Sequence, residues 1–506
     1  MNNPDAQRLR FPTSRLLFVL MLWIFLQSGC AMWPEPTRSW HVGAAGPAGG
    51  CADFFAMLDR KVTTADAIDA GFSRIRHYPY LRTNRFMASF KGEVADARAF
   101  AAWVDHLQAL DQSARRSEIA GLSDADVAAM KTLNGRKELF RQVQVCGDLL
   151  RKADLLDADD RNRLRRHAAA QDEYSSLRRI LGLSPISDLF VSRGVKKWHA
   201  DVREQFDTVP QPGGGTIRYL PDAKPDVAAA HRVTQQAERD ELGIPVYRPD
   251  DQAALFRAYA PVWELPAQDD NDRIGAPVWN ADDGIAVDTD QPQAYTHLSF
   301  TRSAGTILTQ LNYIIWFPSR PRDGALDIYA GLLDGLNYRV TLDTEGKPIL
   351  YETMHNCGCY YQAYPTRHLT ARLETAYAEP PLILNAPEIN AALESMVVFM
   401  EPRTHYVRSL YPLPRRIDLV AVGYTLADYE ILKTLPHANG NRKSMFNRYG
   451  IVTGSERLER FILWPTGVLS PGAMRQWGKH AVAFVGQRHF DDPFYLDEMF
   501  RPGHAP

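Results

Sequence analysis

The stretch FDTVPQPGGGTIRYLPD, Phe206 to Asp222, is the strongest single constraint on how this chain can fold. Pro210, Pro212 and Pro221 flank the successive glycines Gly213, Gly214 and Gly215, and no helix can run through them. The hydrophobic period changes across the break. Before it, apolar residues recur at three- and four-residue spacing; after it, they alternate or run continuously, as strands do. One core seldom organises 506 residues, so the break reads as a linker between a helical part and a sheet-based part. The glycines lack the Lys–Ser/Thr that a phosphate-binding loop requires.

Upstream, ADARAFAAWVDHLQALDQSARR puts Phe100, Trp103, Val104, Leu107 and Leu110 on one helix face. Ser123, with Asp126 three residues on, reads as an acidic capping box. KELFRQVQVCGDLLRKADLL carries Leu139, Val143, Cys146 and Leu150 on a second stripe, and the charged faces of these helices are expected to meet water. Downstream, AYTHLSFTRS alternates, with His297 on the polar face, and LNYIIWFP reads as a strand buried on both sides and ended by Pro318. LNYRVTLDTEGKPILYETMH is a hairpin signal with Gly346 at its turn. HAVAFVGQRHF reads as a further strand, and SPGAMRQW as a helix capped by Ser470. The fold class expected is α+β: a helical N-terminal domain followed by a C-terminal domain built on a mainly antiparallel sheet.

The N-terminus carries a targeting pattern. Arg8, Arg10 and Arg15 precede the apolar run Leu16 to Leu26, which is shorter than the roughly 20 residues a membrane-spanning helix needs. QSGC follows, and it resembles the lipobox of bacterial envelope lipoproteins, although Gln27 stands where that pattern prefers a branched apolar residue. The resemblance implies cleavage of a signal peptide before Cys30 and attachment of lipid, palmitate included, to that cysteine. It also implies export, and Ala31 points to the outer membrane, facing the periplasm. The segments expected are a signal peptide (1–30), a flexible tether (31–51), a helical domain (52–206), a linker (207–243) and an α+β domain (244–500).

With Cys30 given to lipid, Cys51, Cys146, Cys357 and Cys359 remain, in an oxidising compartment. Four cysteines allow three pairings. The simplest is a Cys51–Cys146 bridge, with Cys357 and Cys359 left to each other or to a metal. ETMHNCGCYYQ, Glu352 to Gln362, is where chemistry concentrates. Strand alternation puts His355, Cys357 and Cys359 on one face, but same-face residues lie roughly 6.6–6.8 Å apart, so a shared metal or a disulfide requires a bend at Gly358. His297 and His368 are the candidates to complete a zinc or copper shell. Glu352 is a candidate acid or base, although alternation points it away from His355. EPRTHYVRSLYPLPRR groups Arg403, His405, Arg408, Arg415 and Arg416, a set able to take an anionic small molecule.

A net charge of −2 gives no electrostatic case for nucleic acid or, taken globally, for an anionic membrane. The chain has no His–Glu–x–x–His helix, no Gly–x–Ser–x–Gly elbow and no Walker-type loop. The function expected is that of a lipoprotein held to the membrane through Cys30, with a binding or envelope-structural role and an envelope protein or anionic small molecule as partner. The alternative is a metal-dependent or thiol-redox periplasmic enzyme centred on His355, Cys357 and Cys359.

Overall fold

Pro47 opens the first helix, α1 (Pro47–Thr64), at the position where a missing N–H costs nothing. The computed structural model describes residues 39–130, 135–182, 184–206, 215–222, 225–324, 327–372, 379–390, 394–414, 421–438 and 440–503. The leader with Cys30, the Pro210–Gly214 stretch and Arg415 and Arg416 lie outside the described residues. Asp96 caps α2 (Ala97–Ala120) by accepting from the amides of Arg98 and Ala99. Ser123 caps the short helix Asp124–Ala129 through the Asp126 amide, as its spacing predicts. The next long helix, α3 (Gly135–Asp154), is joined to α1 by a Cys51–Cys146 disulfide with Cα atoms 5.0 Å apart. Helix α1 therefore begins inside the stretch read as a tether, fixed by that bridge and by Phe54, Phe55 and Leu58.

The apolar stripe of α2 is the expected one, but it continues into buried charge. Asp111, Arg115 and Glu118 follow Leu107 on the same face and are buried against a two-stranded ribbon, Ser73–Ile75 with Tyr78–Thr83. Arg82 pairs with Asp111 (3.0 Å) and Glu118 (2.7 Å), and Arg115 with Asp59 (2.6 Å). The expectation that charged faces meet water fails here because each buried charge has an opposite partner. Three further helices, Ala158–His167, α4 (Ser176–Leu181) and α5 (Ser184–Phe206), follow in this part.

The main sheet of the sheet-based part has eleven strands among the described residues. They are β1 (Thr216–Pro221), β2 (Val262–Pro266), β3 (Gln293–Ser303), β4 (Thr306–Arg320), β5 (Gly331–Leu342), β6 (Pro348–His355), β7 (Gln362–Pro365), β8 (Leu382–Ile383), β9 (Glu394–Met400), β10 (Val407–Pro414) and β11 (Val422–Asp428). Their order across the sheet is β8-β7-β6-β5-β4-β3-β11-β1-β2-β9-β10. The run β3 to β7 is antiparallel throughout; β11 lies parallel to both β1 and β3. β1 comes from the stretch read as a linker, and it sits inside the sheet rather than between bodies.

Alternation in β4 sorts its side chains to two cores. Leu311, Tyr313, Ile315 and Phe317 face one that is covered by α5 and by α6 (Pro249–Ala258). Ile314 and Trp316 face the other, which the C-terminal segment covers with Met474, Phe490 and Tyr495. Pro318 does not end β4. The register pairs Phe317 with Asp334 and Ser319 with Leu332, passing over Pro318, which has no N–H to give, and Leu333, whose φ is +58°. HAVAFVGQRHF makes only an isolated bridge, Ala481 with His489, and SPGAMRQW is a turn because Ser470 and Gly472 take φ of +46° and +82°. A short helix, α7 (Arg460–Leu463), and the 3-10 turn Trp464–Thr466 precede that segment. Helical part and sheet share a core in which Ile307 of β4 is buried among the helices, and residues 36–506 make one compact unit.

Candidate functional site

The irregularity at Pro318 and Leu333 sets a carboxylate where an apolar strand would bury a hydrocarbon. Asp334 is fully buried, and it shares a face with His355 because His355 pairs with Leu336. Its carboxylate accepts from the Gly335 amide (3.0 Å) and contacts His355 Nδ1 (3.3 Å), His405 Nδ1 (2.9 Å) and Arg457 Nη2 (3.4 Å). His405 comes from the β9–β10 loop, where Arg403 and His405 both have left-handed φ, +66° and +54°. Its ring stacks on Phe317 at 3.9 Å, and its Nε2 lies 3.4 Å from Asp272. Asp272 in turn accepts from the Arg403 amide at 2.6 Å. The result is a buried chain, Asp272–His405–Asp334–His355.

Burial and charge divide the protons along it. Burial alone would lower His405, but hydrogen bonds to Asp272 and Asp334 raise it, so of the two imidazoles it is the one that favours the proton. Burial would raise Asp334, yet His355, Arg457 and His405 hold it well below the usual carboxylate range. His355 is lowered by burial, only partly countered by Asp334, and stays neutral. With Nδ1 donating to Asp334, its Nε2 is an acceptor, and this buried nitrogen has no hydrogen-bond partner among the described residues.

Aromatic and cationic side chains surround the centre. Tyr360 and Tyr406 lie 4.3 Å apart, and the His355 ring is 5.1 Å from the first and 5.7 Å from the second. Trp198 of α5 closes on Tyr360 at 5.3 Å. Arg320, at the end of β4, donates to the Tyr406 hydroxyl (3.1 Å) and lies over the Tyr329 and Tyr406 rings. It is buried, and among the described residues no carboxylate lies within ion-pair distance of it. Glu459 completes the set: burial lifts its carboxyl to about 7 against the pull of Arg457 and Arg320. Leu333, Tyr360, Arg403 and His405, all left-handed and none of them glycine, ring this centre, and such strain accumulates where structure is over-determined for a task.

The residues singled out in the sequence are dispersed. The bend at Gly358 is present, with φ of +93°, and a Cβ there would meet the Ala481 carbonyl oxygen at 2.3 Å. Cys357 and Cys359 are free, buried thiols, and Cys359 is raised well above an ordinary thiol by its hydrogen bond to Cys357 and by burial. His355 turns to Asp334, and His368 is exposed. His297 packs on Trp477 at 4.7 Å in the wall of a cavity of about 810 Å³ between α2, α6 and strands β3 and β11. Among the described residues no three His, Cys, Asp or Glu side chains form a group that could hold a metal ion. Glu352 lies on the opposite face, where Arg339 binds it through Nε (2.6 Å) and Nη2 (2.5 Å) and Tyr361 donates to it at 2.7 Å, which makes it a structural anchor. Of the basic group, His405 enters the centre, and Arg408 pairs with Glu401.

Asp272, Asp334, Arg320, Arg457, Glu459, Tyr360 and Tyr406 went unread in the sequence. Two signals could have found part of them: a lone Asp inside the apolar run LLDGLNYRV, and a Pro inside LNYIIWFP, each of which breaks a buried strand's rules. In comparisons with known proteins the chain matches no family model, no curated protein and no solved structure.

Proposed function

We propose that this is an exported protein, lipid-anchored through Cys30 in the outer membrane, whose Asp334 centre binds an anion-bearing ligand and hydrolyses it by acid–base chemistry. The observation that carries the reading is one centre that holds, among the described residues, a buried arginine without a carboxylate partner and a neutral imidazole nitrogen without a hydrogen-bond partner. The ligand's anion pairs with Arg320 and the Tyr406 hydroxyl. His355 Nε2 takes a proton from the attacking water while Asp334 stabilises the imidazolium that forms. Glu459, half-protonated near pH 7, returns a proton to the leaving oxygen. Cys359 takes no part as a nucleophile, because burial and its hydrogen bond to Cys357 keep it protonated.

The test is turnover of a panel of phosphate and carboxylate esters, with inorganic phosphate as a thermal-shift probe. His355→Ala should abolish turnover and keep the phosphate shift, and Arg320→Met should lose both. A wild-type protein that neither turns over any ester nor responds to phosphate sinks the reading. A second reading, binding without chemistry, is supported by the 810 Å³ cavity, whose size is that of a small-molecule site. Native mass spectrometry of the purified protein would then show a bound molecule, lost in Phe300→Asp, a change in the cavity wall.

A further inference from the structure

Helices α4, α5 and α7 meet around the Trp464–Thr466 turn in a surface that leaves large aliphatic side chains in water. Leu177, Ile180 and Leu181 of α4 are exposed (Ile180 by 71 %), as are Leu189 of α5 (62 %) and Leu458 and Ile462 at α7. The polar residues set among them are mostly basic. Arg178 and Arg179 belong to α4 and Arg460 to α7, while Arg193 and Lys196 follow Leu189 at helical spacing and share its face. Asp188 is within 4.0 Å of Arg179, whose Nη1 also donates to the Thr466 and Gly486 carbonyls. The net charge of −2 spreads over the whole chain, so this basic and apolar clustering is a local feature that a global count hides.

Aliphatic side chains interleaved with arginine and lysine suit the boundary between anionic headgroups and acyl chains. The tether adds to the argument. If Cys30 is lipidated, the nine residues from there to Ser39 span at most about 32 Å, which keeps the body against the bilayer. We infer that α4, α5 and α7 form a docking surface for an anionic bilayer, separate from the lipid anchor. Trp198 lies about 13 Å along α5 from Leu189, and α7 begins directly after Glu459. Docking therefore brings the Asp334 centre close to the headgroups. Resting on the anion-site reading above, this makes a lipid phosphate headgroup the ligand.

The experiment is vesicle flotation of residues 36–506, the compact unit without anchor, on phosphatidylglycerol/phosphatidylethanolamine and on phosphatidylcholine. The wild type should float with the anionic vesicles alone and should release in high salt. Ile180→Asp with Ile462→Asp, or Arg178→Glu with Arg460→Glu, should weaken binding by about tenfold or more with Tm unchanged. Equal flotation on neutral vesicles, no flotation, retention by both variants, or a concentration-dependent dimer covering the patch would each overturn the surface. A thermal shift with sn-glycerol 3-phosphate, lost in Arg320→Met, separates the two claims. A shift without flotation removes the docking surface and keeps the anion site; flotation without a shift keeps the surface and removes the headgroup as ligand.

Discussion

Asp334 holds its charge because two imidazoles and a guanidinium converge on one carboxylate, so removing that charge leaves His405 and Arg457 buried with half their compensation. Asp334→Asn should cost about 3–5 kcal/mol in urea unfolding, the range for breaking a buried pair from one side. Glu459 behaves oppositely. Its folded value of about 7 lies above the unfolded value of 4.5, so its contribution is fully present below pH 4.5 and is lost as pH rises through 7. Glu459→Gln should therefore raise Tm above pH 7, with the gain vanishing below about pH 4.5, as a thermal scan across pH would show. Glu459 gives no sign of this in the sequence, and Asp334 shows only as a lone acid inside an apolar run. A charged residue in a strand or loop shows its burial only once its partners, here from β4, β5, β6 and two loops, are assembled.

At the scale of elements, the legible features were those fixed by local spacing. The stripe of α2, the cap at Ser123, the hairpin at Gly346 and the bend at Gly358 all depend on neighbours a few residues apart. What stayed hidden depends on distant partners: Asp111 and Arg115 are buried by Arg82 and Asp59, and the turn at Ser470 is shaped by Glu459 against Gly472. The Cys51–Cys146 bridge closes a loop with 95 residues of sequence separation around the ribbon and α2. Cys51→Ser with Cys146→Ser should cost about 2–5 kcal/mol, read by denaturant unfolding. Thiol titration of residues 36–506 in denaturant without reductant should find only Cys357 and Cys359 reactive.

Over the whole molecule, acid should weaken the fold through its histidines. His297 and His480 are pushed down to about 3 and His199 to about 4, all by burial, from 6.5. A depressed histidine contributes stability that is complete above about pH 6.5 and fades as pH falls towards the folded value. His405, raised instead, keeps its contribution throughout that acid range, and Glu459 regains stability there and offsets part of the loss. Tm should fall between pH 7 and 5, and fall more steeply in Glu459→Gln. Equal Tm at both values would mean that these imidazoles are hydrated in solution.

Strand β11 carries a consequence for how the chain is made. Residues 422–424 pair with β1 and residues 425–428 with β3, so one short strand late in the sequence is the seam of the whole sheet. Until it has been synthesised, the β3–β8 meander and the β1–β2–β9–β10 group are two half-sheets, each with a raw edge. Contacts between positions some two hundred residues apart close slowly. A nascent chain halted before Val422 should thus be sticky and protease-sensitive, and an escorting chaperone would have its longest engagement in that interval.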